Sequence, residues 1–146
     1  MRELALAVEM VKDSEGFRGD PYTDTRGFLT IGYGTKLPLS EKEAGVIAYM
    51  RLEDKVTHLE SKVSFFDHLP VKIQNVLAEM AYQLGVAGIM KFTRMWRALE
   101  QHDFKSAADE MLDSKWFKQM HAADMLDGTD SVNRAERLAE IVREAA

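Results

Sequence analysis

Two carboxylic acids and a threonine near the start of the chain have the types and spacing needed for sugar-bond chemistry. Glu15 precedes a run of turn residues, Asp24 follows that run, and Thr30 lies six residues after Asp24. In glycoside hydrolysis one carboxylic acid protonates the leaving oxygen, while a second carboxylate activates water or attacks the sugar. Glu15 is therefore the candidate general acid and Asp24 the candidate base or nucleophile. A hydroxyl at Thr30 could orient a water beside Asp24.

The elements around these residues are predicted from the turn formers. Residues 2–14 read as an amphipathic helix, which Gly16, Gly19 and Pro21 interrupt. Thr, Tyr, Phe and Ile then recur at short intervals between glycines, which indicates a small antiparallel sheet at about residues 21–35. Glu15 would close the helix and Asp24 would lie on or beside the first strand. A hairpin centred near Gly27 would place positions 24 and 30 opposite each other.

Each of these residues also has a purely structural interpretation. A glutamate at a helix end can pair with an arginine, an aspartate before a turn can bond its own backbone, and a lone threonine often only forms strand. Asp20 is the nearest competitor for the second acid, but Gly19-Asp20-Pro21 is typical of a turn. A general acid at Glu15 also needs a raised pKa, usually through burial. The apolar neighbours available for such burial are Phe17, Phe28 and Leu29.

Three segments resemble the bacteriophage lysozyme (endolysin) family, glycoside hydrolase family 24. The first is Glu15-Gly16 followed, from Asp24 to Gly34, by Asp-Thr-x-Gly-x-x-Thr-Ile-Gly-x-Gly. The second is Met80–Gly85, similar to the family's inner helix along the sugar cleft. The third is Ser114–Phe117 with Asn133–Arg137, similar to the family's C-terminal Asn-Arg-Ala element. These segments follow the family's order over most of the chain.

The resemblance implies a function and roles for individual residues. The implied reaction is hydrolysis of the β-1,4 bond between N-acetylmuramic acid and N-acetylglucosamine in peptidoglycan, by an inverting mechanism in which Asp24 and Thr30 place the water. Tyr82 and Gln83 match the family's cleft-lining pair and are the implied substrate contacts. Arg134 resembles the arginine that supports the catalytic glutamate.

The sequence departs from the family pattern at two places. Thr35 stands directly after Gly-x-Gly, where the family member compared has a histidine that is usually structural. The chain is also longer between Trp116 and Asn133, with extra residues within 118–128. These extra residues would either reshape the cleft rim or lengthen a loop.

The composition limits the class of protein and the cellular location that can be expected. The 146 residues are 46% hydrophobic and 29% charged, which is ordinary for a soluble chain, and they contain no cysteine and no run long enough to span a membrane. The start does not resemble a signal peptide. We expect a protein that folds in the host cytoplasm and then reaches the periplasm and cell wall. Access through a phage holin is what the resemblance implies. We expect no stable membrane insertion.

The charge pattern indicates a binding partner other than nucleic acid. The net charge of −5 disfavours a nucleic-acid binder. Peptidoglycan is itself anionic, so local positive charge would have to offset the negative total. Lys36 is the candidate substrate-binding cation beside the acids, and four arginines could contribute to a positive cleft: Arg18, Arg26, Arg134 and Arg137. We expect glycan strands as the partner and a monomeric protein.

No metal or cofactor is expected. The four histidines lack the spacing of a zinc helix, and residues 20–24 lack the third ligand, glycine and distant glutamate of a calcium loop. The nine methionines lie at core-like spacings and are interpreted as gap fillers.

The remaining pattern is helical and completes the predicted fold. Ser40 and Glu43 form a capping box that opens a helix of about 20 or more residues. Pro70 opens a helix that is apolar nearly all round and is ended by Gly85 and Gly88, and a last helix covers about 131–144. The predicted fold is mainly helical α+β, two-lobed and lysozyme-like. The N-terminal lobe covers about residues 12–60, and the C-terminal lobe covers 61–146 together with the first helix, 1–11.

Two alternative functions remain open at the level of sequence. The same two-acid chemistry could act on another amino-sugar polymer such as chitin. A non-enzymatic wall-binding or virion module could keep the fold, although such a module would be expected to lose the acids that this chain retains.

Overall fold

The chain folds mainly into helices with a small antiparallel sheet, as the sequence predicts. The computed structural model describes residues 2–118 and 131–145, with the side chains of the second range described from residue 135 onward. Two compact units are present, Met1–Ile47 and Ala48–Ala146. The predicted assignment of residues 1–11 to the C-terminal lobe, with a boundary near residue 60, stays a prediction.

The first unit consists of one helix and a three-stranded sheet. Helix α1 covers Ala5–Glu15 and ends at Gly16, which has a φ of 68°. Strands β1 (Arg18–Thr23), β2 (Leu29–Gly32) and β3 (Thr35–Lys36) pair in the order β1-β2-β3, and both pairings are antiparallel. Pro21 is tolerated in β1 because β1 is an edge strand with an irregular register between Arg18 and Tyr22.

The predicted register of the β1–β2 hairpin is wrong. Thr30 lies opposite Tyr22, and the Asp24 amide donates to the Phe28 carbonyl at 2.9 Å. The turn is therefore centred on Arg26, one residue before the predicted centre at Gly27, and Asp24 does not face Thr30. The reason is local: the Asp24 side chain closes the turn by binding backbone amides, and Gly27 follows with a φ of 87°.

Helix α2 covers Glu41–Lys62 and begins with the predicted capping box. The Glu43 amide donates to Ser40 Oγ at 3.1 Å, and Glu43 Oε1 accepts from the Ser40 amide at 3.0 Å. These two reciprocal bonds satisfy backbone donors that have no partner inside the helix. The 22-residue length agrees with the prediction.

The second unit is helical. After one turn of 3-10 helix at Phe66–His68, the elements are α3 (Val71–Ile89), α4 (Thr93–Glu100), α5 (Phe104–Leu112), a helical stretch at 115–118 and α6 (Ser131–Glu144). Helix α3 is the buried one, as its apolar surface predicts, with Ile73, Leu77 and Met80 inaccessible to solvent. Gly85, with a non-helical φ of 76° and ψ of 159°, ends the regular helix as predicted, so that α3 consists of two helical segments joined at a kink. The helix resumes and runs past Gly88 to Ile89.

The core of the second unit forms where α3, α4, α5 and α6 pack together. Its largest members include Phe66, Leu99 and three fully buried methionines, Met80, Met95 and Met111. These three methionines fill core space as predicted, since a flexible thioether adapts to irregular gaps. The prediction is wrong for Met10 and Met50, which are exposed by 59% and 55%, and Met1, Met120 and Met125 lie outside the described residues. Within the described ranges, no helix combines the length and apolar character that a membrane crossing requires.

Candidate active site

Asp24 lies at the centre of the candidate site in the first unit. Its Oδ1 accepts hydrogen bonds from the backbone amides of Arg26 at 2.9 Å and Phe28 at 2.8 Å. Its Oδ2 accepts from Lys36 Nζ at 2.7 Å. The structural interpretation of Asp24 as a turn-closing residue is therefore correct, and the same carboxylate also pairs with a lysine twelve residues away.

This environment favours the ionised form of Asp24. The hydrogen bond from Lys36 contributes most, and the amides of Phe28 and Arg26 add to it, so that the Asp24 pKa falls from its ordinary value of 3.8 to about 2. A carboxylate with so low a pKa is a weak base at neutral pH. Asp24 is therefore suited to hold a water through a hydrogen bond and to stabilise positive charge.

Thr30 lies next to this ion pair in the middle strand. Its side chain is buried, and its hydroxyl donates to the Phe28 carbonyl at 2.9 Å. The backbone of Thr30 pairs with Tyr22 on one side and Lys36 on the other. The hydroxyl proton is thus engaged, while the lone pairs of Thr30 Oγ1 can accept a hydrogen bond from water.

Glu15 is positioned by the end of α1 and by a glycine of the β2–β3 turn. Gly34 has a φ of 73°, and a Cβ atom at this position would lie 2.7 Å from Glu15 Cδ and 2.8 Å from Oε2. The carboxyl group therefore lies directly against the backbone of the turn. The preceding residue of that turn, Tyr33, contacts Phe17 with ring centroids 5.6 Å apart, and its ring centroid lies 5.7 Å from Lys12 Nζ.

The apolar pocket expected around Glu15 does not form. Phe17, Phe28 and Leu29 expose 68%, 48% and 51% of their surface, so these three residues do not bury the acid. Their exposure follows from the sheet, which has a single buried residue, Thr30, among its described positions. Three strands of two to six residues cannot enclose a carboxyl group by themselves.

One hairpin brings the two acids into the same region of the first unit. Glu15 contacts Gly34, and Asp24 is bound by Lys36, two residues further along the chain. Two residues of extended chain span at most about 7 Å, so the Cα atoms of Gly34 and Lys36 lie within that distance of each other. The β2–β3 hairpin is therefore the element that relates the candidate acid to the candidate base. Sequence reasoning missed both contacts because no local signal marks them.

The predicted substrate contacts Tyr82 and Gln83 are exposed on α3 in the second unit. Gln83 Oε1 accepts from Trp116 Nε1 at 3.4 Å, which leaves the Gln83 amide hydrogens available as donors. Tyr82 borders a groove of about 440 Å³ together with three charged residues of α2: Arg51, Asp54 and Lys55. The side chain of Arg134 lies outside the described residues, as do most of the extra residues before Asn133.

The described side chains do not form a candidate metal centre. Within residues 2–118 and 135–145, no three His, Asp or Glu side chains are arranged to hold a metal ion.

The chain is similar to known lysozymes. The family model described as phage lysozyme matches residues 12–136, a range that contains Glu15, Asp24, Thr30, Tyr82 and Gln83. Probable T4-type lysozymes 1 and 2 of Dictyostelium discoideum are 25% and 27% identical, each over 76% of this chain and 84% of the relative. The pre-baseplate central spike protein Gp5 of Enterobacteria phage T4 is 28% identical over 76% of this chain, which corresponds to 25% of that longer protein.

The contact between Gly34 and Glu15 predicts the effect of adding a methyl group. Gly34→Ala should lower the free energy of unfolding through left-handed strain, roughly 1–2 kcal/mol, and through the clash with the Glu15 carboxyl. Gly32→Ala is the matched control, since Gly32 begins the same turn with a φ of 69°, and a methyl group added there would have no heavy atom within 4 Å. Urea denaturation should show a larger loss of unfolding free energy for Gly34→Ala than for Gly32→Ala. Equal losses would contradict the contact.

The Asp24 ion pair predicts a pH-dependent difference in stability. Because the folded-state pKa lies near 2 and the ordinary value is 3.8, the stabilisation is fully present above the ordinary value and disappears as the pH falls through about 2. Asp24→Asn should therefore lower the urea midpoint by a constant amount from pH 7 to about pH 4, and the difference should vanish near pH 2.

Asp20→Asn is the control for this measurement. It makes the same chemical change at an exposed side chain four residues earlier, and we expect it to leave the midpoint close to that of the wild type. A deficit of Asp24→Asn that persists unchanged at pH 2 would show that the charge of Asp24 is not its cause.

Proposed function

We propose that this chain, which belongs to the phage lysozyme family and is a glycoside hydrolase, acts on bacterial peptidoglycan. The bond that it cleaves in this proposal is the β-1,4 bond between N-acetylmuramic acid and N-acetylglucosamine. The observation that supports this most is the placement of Glu15 and Asp24 around one hairpin. Both acids lie within the range that the family model matches. Two carboxyl groups around the scissile bond are the shared requirement of this chemistry.

In this proposal Glu15 is the general acid. Its carboxyl group is exposed at the end of α1 and faces the turn at Gly34, so a glycosidic oxygen can approach it from solvent. Donation of its proton to the leaving oxygen would produce the free hydroxyl of the departing sugar. Gly34 supports this role because its missing side chain leaves room for the acid.

Asp24, with Thr30, places the attacking water. The low pKa of Asp24 keeps it ionised, and its two bonds to backbone amides fix it in the turn. An ionised, immobilised carboxylate stabilises the positive charge that develops on the sugar. It also orients a water on the face of the sugar ring opposite the leaving group. This arrangement favours inversion, in which water attacks directly and passes a proton to Asp24 as its bond to the sugar forms, over formation of a covalent sugar–aspartate intermediate.

Tyr82 and Gln83, on α3, are the proposed contacts to the glycan strand. Gln83 has its carbonyl oxygen turned to Trp116, so it would donate its amide hydrogens to an acceptor such as the carbonyl oxygen of a sugar acetamide. Tyr82 offers an exposed ring and hydroxyl beside it. The predicted setting is a monomeric endolysin that accumulates in the host cytoplasm and reaches the wall through a holin.

Removal of the proposed general acid provides the direct test. Glu15→Gln should lower the rate of lysis of purified cell walls by roughly 10²- to 10⁴-fold, the usual contribution of general acid–base catalysis, because an amide cannot donate the required proton. Turbidity decrease measures the rate, and the urea midpoint confirms that the variant is folded.

Glu9→Gln is the matched control, since Glu9 is an exposed glutamate on the same helix that pairs with Lys12 at 3.4 Å. It should lyse walls as the wild type does. A folded Glu15→Gln protein with nearly normal lysis would contradict the assignment of the acid.

The stereochemistry of the product tests the role of Asp24. Inversion at a β-linked sugar should release the α anomer first, and NMR of the reducing end recorded before mutarotation identifies the anomer. A β anomer as the first product would indicate a covalent intermediate and contradict the proposed placement of water.

A further inference from the structure

Lys36 determines how many hydrogen-bond acceptor sites of the Asp24 carboxylate remain available to a water. An ionised carboxylate has about four acceptor sites on its two oxygens. The amides of Arg26 and Phe28 occupy Oδ1, and the ammonium group of Lys36 occupies one site on Oδ2. One acceptor site is therefore left, and it lies on the oxygen that Lys36 binds.

We infer that Lys36 is a positioning residue, whose ammonium group gives the Asp24 carboxylate a second anchor and confines the attacking water to the single remaining site on Oδ2. This inference rests on the proposed function. It also changes the role of Lys36 from that of a substrate contact, which the sequence suggests, to that of a residue acting through Asp24. The amides bind Oδ1 and leave both acceptor sites of Oδ2 open, and Lys36 occupies one of these two sites.

The lysine is itself held in place at two points. Its backbone pairs with Thr30 across the β2–β3 ladder, and its Nζ lies 5.4 Å from the centroid of the Phe28 ring. Phe28 also donates its amide to Asp24. The ring and the carboxylate thus belong to one turn, and Lys36 contacts both, so that a movement of the ammonium group requires the strand pairing or the ring contact to change.

The exposure of Lys36 limits what this ion pair can add to stability. The side chain of Asp24 is 17% exposed and that of Lys36 53% exposed. A pair with one partner this exposed adds little to stability. We therefore expect Lys36 to matter more for the geometry of Asp24 than for the free energy of unfolding.

Other charged groups surround the pair without replacing Lys36. Arg26, in the turn itself, has its guanidinium carbon 5.8 Å from the Phe28 ring centroid, and Arg18, on β1, stacks 4.4 Å from the Tyr22 ring. Glu15 approaches from α1 at Gly34. Among the side chains that the structure describes, Lys36 is the one that donates to the Asp24 carboxylate.

The test compares Lys36→Met, Lys36→Arg and the wild type in steady-state cleavage of soluble glycan strands. In Lys36→Met the attacking water is no longer confined to one position, so kcat should fall by about ten- to a hundred-fold. KM should stay within about two-fold of the wild-type value, because the lysine acts on the reacting water and does not contact the substrate. Lys36→Arg should restore most of kcat. The acidic limb of the kcat profile should move to higher pH in Lys36→Met, since the Asp24 pKa would return toward its ordinary value.

Lys12→Met serves as the control for the loss of one positive charge. Lys12 is a lysine of the same unit that contacts an aromatic ring, at Tyr33, and a carboxylate, at Glu9. It should retain the wild-type kcat and pH profile. The urea midpoint of Lys12→Met should remain close to that of the wild type, and a cooperative urea transition should show that the Lys36 variants are folded.

The outcomes separate this inference from the proposed function. If the wild type cleaves the glycan and Lys36→Met has the same kcat, the positioning role of Lys36 is overturned and the proposed function is not. A raised KM with an unchanged kcat also overturns the positioning role, in favour of a substrate contact. A correctly folded wild type that cleaves no glycan overturns the proposed function and this role together.

Discussion

The hydrogen bonding of one carboxylate determines the geometry of the candidate site. Asp24 binds two amides of its own turn and the ammonium group of Lys36. The first two bonds set the register of the β1–β2 hairpin, and the third joins that turn to β3. The same bonds keep the carboxylate ionised and leave one acceptor site for water. Structure and chemistry therefore depend on the same three contacts.

The second acid is placed by a steric constraint. Glu15 can lie against the β2–β3 turn because Gly34 has no side chain and adopts a positive φ. The hairpin is too small to bury either acid, and the exposed aromatic residues around it show that the first unit has little core of its own.

Local patterns predicted most of the fold. The capping box at Ser40 and Glu43, the buried α3 and the bounds of α6 follow from residue spacing, because helix periodicity and caps involve residues three or four apart. The centre of the hairpin turn was missed by one residue, which moves the partner of Thr30 from Asp24 to Tyr22, because a side chain closes the turn. The pairing of Asp24 with Lys36 and the contact of Glu15 with Gly34 join residues twelve or more positions apart, which no local pattern reveals.

The most direct measurement is a titration of the Asp24 carboxyl carbon by NMR in the wild-type protein. If Lys36 and the two backbone amides hold this carboxylate as described, its pKa will be about 2 and it will be ionised above about pH 4. A pKa at or above the ordinary 3.8 would show that these contacts do not persist in solution, and it would contradict the assignment of Asp24 as a fixed, ionised group that places water.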